Sequence, residues 1–142
     1  MTLLQPTAAW SSTYESTASA IAYVVDTEPA LFSGDTDKSE TAALLVAVSW
    51  YESRFNPRAL GDGGRSWGLF QMRGGGPRYF DPVIAARGAL RAMRTSLDAC
   101  SDQLPADRLA AYASGSCARG RRESRARMQL ASKLVMASSL TW

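Results

Sequence analysis

From Val83 onward, apolar residues return every three or four positions, at Val83, Ala86, Leu90, Met93 and Leu97, while Arg87, Arg91, Arg94 and Asp98 take another face. A period near 3.6 is that of an amphipathic helix. Asp81-Pro82 supplies its start, an N-cap followed by proline at the first helical position, and the helix is predicted to run to about Cys100. Four further helices read from related signals. One spans Ser12 to about Thr27 and is ended by the Glu28-Pro29 step and the loop Phe32-Ser33-Gly34-Asp35. The next covers Lys38 to Glu52, rich in Ala and Leu, with Asp37 or Ser39 available as its cap. Pro105 to about Ser114 reads as a helix stopped by Gly115, and Arg121 to Ser138 as the last. With short punctuated turns, no internal repeat and no low-complexity linker, the chain is predicted to be mainly α. It reads as one domain over residues 1–142, with a small extended, β-like segment around Gly61–Gln71.

Composition narrows the chemistry. At 142 residues and 46% hydrophobic content the chain suits one core, and a domain of this size buries roughly 70% of its unfolded surface. There is no histidine, which excludes a Ser-His-Asp or Cys-His nucleophile, the HExxH zinc site and an imidazole base. Carboxylates, Tyr, Lys and Cys remain, and nothing in the pattern calls for a cofactor or a metal. The two cysteines, Cys100 and Cys117, have neither zinc-ribbon nor CxxC spacing. They flank a helical hairpin and either close it as a disulfide or stay as two buried thiols. A disulfide implies work outside the cytoplasm.

No window reaches the uninterrupted apolar length of about 18 residues that a membrane span requires. The opening MTLLQPTAAWSSTYESTASA has no basic region followed by an apolar run and a cleavage pattern, so synthesis in the cytoplasm without a signal peptide is expected. Charge is uneven. The first fifty residues hold six acids and one lysine, the remainder seven acids and fifteen bases, for a net charge of +3. Arg119, Arg121, Arg122, Arg125 and Arg127 form a cluster that reads either as a surface for an anionic polymer or as a solvated helix face.

The stretch from Ser49 to Met72, SWYESRFNPRALGDGGRSWGLFQM, concentrates the candidate chemistry. Ala42, Leu45, Ser49 and Glu52 share one helix face, which puts Glu52 at the helix C-terminus, the negative end of the dipole. With Trp50, Tyr51 and Phe55 near in sequence to shed water, that placement favours the proton-carrying form a general acid needs. Pro57 is expected to stop the helix. Gly61-Asp62-Gly63-Gly64 makes a turn, and Ser66-Trp67-Gly68-Leu69-Phe70-Gln71 is expected to return as an extended apolar segment that brings Gln71 near the glutamate.

Glu52-Ser53, Asn56-Pro57, Gly61-Asp62 and Gly68-Leu69-Phe70-Gln71, in that order, resemble the lysozyme-like superfamily. The segment is similar to the soluble lytic transglycosylases, with Glu-Ser, an Asn-Pro step and Gly-Leu-Met/Phe-Gln, and to goose-type lysozymes, with a comparable Gly-Asp turn. A weaker match lies in Leu109-Ala110-Ala111-Tyr112-Ala113-Ser114-Gly115, where the family has Ala-Tyr-Asn-Ala-Gly. Tyr112 carries over, whereas Ala113 stands in place of the asparagine. The likeness covers roughly Thr41 to Gly115, and the first and last helices match only in type.

The resemblance implies a mainly helical domain that binds peptidoglycan glycan strands and cuts between N-acetylmuramic acid and N-acetylglucosamine, with Glu52 as general acid. Ser66, Gln71 and Tyr112 would contact substrate. In an inverting hydrolase, or muramidase, a second carboxylate activates water about 6.5 to 9.5 Å from the acid, and Asp62 is the candidate. In a transglycosylase Glu52 serves as acid and then base, and Glu52-Ser53 with Asn56-Pro57 sets this mechanism slightly ahead. Delivery to the wall would then fall to a phage endolysin route or to virion or injection-machine proteins. Two other classes compete: an inactive wall-binding module, and an arginine-rich nucleic-acid binder whose affinity would fall steeply with salt. Neither accounts for glutamate, turn and GLFQ occurring together, so no nucleic-acid partner is expected.

Overall fold

The computed structural model describes residues 8–34 and 36–140, with side chains from 14 to 138. The opening residues 1–7, part of the stretch behind the signal-peptide reading, and Asp35 of the first loop lie outside the described residues. Five α-helices dominate: α1 (Ala8–Thr27), α2 (Asp37–Ser53), α3 (Pro82–Ala99), α4 (Ala110–Ser114) and α5 (Arg121–Leu140). Between α2 and α3 stands an antiparallel sheet of three two-residue strands, β1 (Leu60–Gly61), β2 (Ser66–Trp67) and β3 (Met72–Arg73), in the order β1-β2-β3. Its register pairs Leu60 with Trp67 and Trp67 with Met72. The mainly α expectation therefore holds. No helix among the described residues is long and apolar enough to cross a membrane.

The helix starts follow local chemistry. The Asp81 carboxylate accepts from the backbone N–H groups of Val83 (2.9 Å) and Ile84 (3.2 Å), capping α3 ahead of Pro82 as its sequence predicts. At α2 the cap position falls to Thr36 instead of Asp37 or Ser39, and Thr36 makes no side-chain cap bond to the backbone. Its hydroxyl donates to the Glu40 carboxylate at 2.7 Å. The α2 C-terminus falls within one residue of the predicted Glu52, but Pro57 is not what stops it. It ends at Ser53, four residues before Pro57, because Arg54 (φ 53°) and Phe55 (φ 64°) both turn left-handed. The Arg54 and Phe55 N–H groups close the last turn on the Trp50 and Ser49 carbonyls.

The core joins all the larger elements: Val24 of α1, Leu44, Leu45 and Val48 of α2, Ala86, Leu90 and Met93 of α3, and Leu109 before α4 are fully buried. Leu69 and Phe70 enter the same cluster from the loop after β2. At about 1.5 to 3 kcal/mol for each buried side chain, these two anchor that loop to the helices more strongly than the two-residue strands could. The helix predicted over Pro105–Ser114 is broken into a 3₁₀ turn, Pro105–Asp107, and α4. Tertiary partners cause the break. The Asp107 carboxylate turns inward to the Arg125 guanidinium (2.6 and 3.2 Å), and the Leu109 N–H donates to the Ser124 hydroxyl (3.0 Å). The Ser124 hydroxyl in turn donates to the Ala106 carbonyl at 2.7 Å.

Candidate active site

Glu52, Asp62, Ser66, Gln71 and Tyr112 line one cleft of about 650 Å³, walled by the end of α2, the sheet, α3 and α4. A larger, mostly apolar hollow of about 780 Å³ lies against α2 and α5 and includes none of the five. Helix geometry puts Glu52 on the cleft wall. Successive helical residues are separated by about 100° of rotation, so Trp50, two positions earlier, points the other way. Trp50 packs on Phe55 (ring centroids 5.3 Å apart), Phe55 on Tyr14 (5.0 Å), and the Arg54 guanidinium covers Trp50. These rings do not form the water-shedding surround expected for Glu52.

An arginine takes that place. Arg127 Nη2 donates to Glu52 Oε1 at 3.1 Å, with the two side chains 11% and 23% exposed. Its guanidinium also lies over the Tyr51 ring at 4.9 Å and donates from Nη1 to the Glu123 carbonyl at 3.0 Å. Sequence reasoning placed Arg127 in a basic cluster and missed this role, because the partners are 75 residues apart. A second member, Arg125, is committed to Asp107. That hydrogen bond, aided by the charges of Arg125 and Arg121 and opposed by burial, holds the Asp107 carboxyl below the usual carboxylate range.

The loop from Ser66 to Gln71 is extended only at Ser66–Trp67, after which Gly68 (φ 80°) and Gln71 (φ 49°) turn it. A side chain at Gly68 would collide with the Tyr79 carbonyl, so the close approach and the positive φ both require glycine. Gln71 reaches the cleft, but its amide N–H groups are spent on the Gly68 (2.9 Å) and Ala59 (3.2 Å) carbonyls. Its carbonyl oxygen lies so close to the Gly61 Cα that a Cβ there would overlap it. Gln71 therefore braces the cleft wall. Ser53, next to the glutamate, fastens the helix end to this loop by donating to the Leu69 carbonyl at 2.8 Å.

Asp62 is exposed, adopts φ 52° in the β1–β2 turn, and accepts a 2.5 Å hydrogen bond from the buried Ser66 hydroxyl. Ser66 thus serves the turn as well as the cleft. Tyr112 is held from α3: the Ser96 hydroxyl accepts from the Tyr112 N–H at 3.0 Å and donates to the Arg108 carbonyl at 2.8 Å. The Tyr112 hydroxyl is buried without a hydrogen-bond partner. Burial, and after it the charge of Glu52, raises its pKa above the ordinary phenol value, while Arg127 opposes the shift. Cys100 and Cys117 are joined as a disulfide that closes the loop carrying α4, with Cα atoms 5.6 Å apart.

Chemically, the cleft offers one partly shielded carboxyl, one exposed carboxylate and a buried phenol along one lining. Among the described residues no group of three or more Asp, Glu or Cys side chains gathers as a metal site would need. No protein-family model matches the chain, and neither does any curated protein or solved structure.

Proposed function

We propose that the cleft binds peptidoglycan glycan strands and cleaves the bond between N-acetylmuramic acid and N-acetylglucosamine, on a lysozyme-like domain with Glu52 as acid and then base. The observation that carries this reading is that Glu52 and Tyr112 face one cleft whose wall, the GLFQ turn, is tied by Ser53 to the helix end bearing the glutamate. The elements of the sequence motif are thus physically coupled.

In the first step the Glu52 carboxyl gives its proton to the glycosidic oxygen as the C1–O bond breaks and its electron pair leaves with that oxygen. The sugar is left as an oxocarbenium-like cation. In the second, the muramoyl C6 hydroxyl attacks C1 and the Glu52 carboxylate takes the hydroxyl proton. A 1,6-anhydro ring forms, Glu52 recovers its proton, and no water is consumed. This transglycosylase course suits Asp62, whose carboxylate is bound to Ser66 within a left-handed turn and so has a structural task already. The disulfide suits work at the wall, outside the reducing cytoplasm. The inactive-module and nucleic-acid readings rank lower. Two members of the arginine cluster, Arg125 and Arg127, are drawn into ion pairs with Asp107 and Glu52 and leave less of a free basic stripe.

The test is digestion of purified sacculi by the wild type and by Glu52→Gln, with mass spectrometry of the products. Anhydro-ended muropeptides from the wild type, and a loss of about 10² to 10⁴ in rate or more in a folded Glu52→Gln protein, are expected. Reducing ends would move the assignment to a hydrolase. Wild-type-like digestion by Glu52→Gln would remove Glu52 from the chemistry.

A further inference from the structure

We infer that Arg127 is a positioning residue for Glu52, holding its carboxyl in the orientation that the proton transfers require. The inference rests on the reading of Glu52 as the acid of a glycan-cleaving cleft. Arg127 comes from α5, a helix that contributes no residue to the cleft lining, and reaches the Glu52 carboxyl from outside that lining.

Its guanidinium is restrained on several sides. Nη1 is held by the Glu123 carbonyl one turn earlier, the Tyr51 ring lies against the cation, and Nη2 meets Glu52. Nε is buried with no hydrogen-bond partner. A cation left partly unpaired at 11% exposure carries a desolvation cost, and the ion pair with Glu52 is the interaction here that offsets it. An exposed surface pair would contribute little and move freely. This one is fixed on the acid.

The other charged or titratable groups facing Glu52 are fewer or wetter. Tyr112 of α4 presents its buried hydroxyl and Tyr51 its ring; Asp62 of the β1–β2 turn and Arg73 of β3 line the same cleft but are exposed to water. Arg127 is the cation bonded directly to the carboxyl. The same bond orients the carboxylate for its second task, taking the C6 hydroxyl proton. Removing the guanidinium should therefore lower the rate of the chemical steps while leaving substrate binding near that of the wild type.

The experiment compares wild type, Arg127→Met and Arg127→Lys in the steady-state kinetics of cleavage of soluble peptidoglycan glycan strands, with kcat and KM resolved separately. In Arg127→Met, KM should stay near the wild-type value, because the guanidinium does not line the cleft. The kcat should fall by about ten- to a hundredfold through lost orientation. Lysine keeps the charge without the planar fork and should recover only part of kcat. Arg127→Gln carries the same expectation as Met and serves if the Met protein does not fold. An active wild type whose kcat is unchanged by loss of the guanidinium would overturn the role of Arg127 and leave Glu52 as the acid. A wild type that cleaves no glycan would overturn the functional reading itself, and this inference with it.

Discussion

The Ser53 hydroxyl donates to the Leu69 carbonyl across 2.8 Å, bridging 16 residues between the end of α2 and the GLFQ turn. Ser53 also accepts from the Asn56 N–H at 3.2 Å, so one small side chain joins three parts of the motif. Leu69 is fully buried, which leaves its carbonyl few other partners. Ser53→Ala should therefore lower stability by about 1 to 3 kcal/mol, the cost of an unpaired buried acceptor. Denaturant unfolding checks this, and sacculus digestion should fall further than the loss of folded protein accounts for, because the Glu52 end of α2 is freed from the opposite wall. Unchanged stability would show that the loop is held by Leu69 and Phe70 packing alone.

Tyr112→Phe separates packing from contact with substrate. The hydroxyl is buried and unpartnered, so its removal should leave the melting temperature unchanged or slightly raised. If the hydroxyl meets the sugar or the Glu52 carboxyl during reaction, cleavage should drop by about tenfold or more. A full-rate, fully stable Phe variant would assign Tyr112 to the wall only.

The disulfide should matter to the cleft as well as to the fold. Cys100 and Cys117 are 17 residues apart and enclose α4, which carries Tyr112. Closing a loop of this length stabilises by about 3 kcal/mol in the chain-entropy account. Paired Cys100→Ser and Cys117→Ser substitution, or reduction of the wild type, should lower the denaturation midpoint accordingly, measured by circular dichroism.

Acid should weaken the α4–α5 junction. The folded Asp107 carboxyl is held below its ordinary value, chiefly by the Arg125 hydrogen bond. A depressed folded value means that the unfolded chain takes up the proton first as pH falls. The contribution is present above the ordinary aspartate pKa of about 3.9 and is lost as pH drops through the lower folded value. Melting curves between pH 6 and about pH 2 should show this loss in the wild type and less of it in Asp107→Asn, which has no such proton to take up.

What the chain determined by itself was local. The 3.6-residue apolar period and the Asp81-Pro82 cap locate α3 within one residue, since both act through neighbours in sequence. The glycine and asparagine punctuation around Asn56–Gly64 locates the turns near the candidate acid, and the resemblance carried by the motifs around Glu52, Gln71 and Tyr112 nominates residues that do share a cleft. Tertiary structure decided whatever depends on partners distant in sequence. Ser124 and Arg125 break the helix foreseen over Pro105–Ser114, since they offer its backbone and Asp107 better bonds than a continuous helix could. Gln71 is turned inward on two carbonyls, a use invisible to a reading that knows only its type. Arg127 reaches Glu52 across 75 residues because α5 packs along α2, so the cation beside the candidate acid exists only once those two helices are in contact.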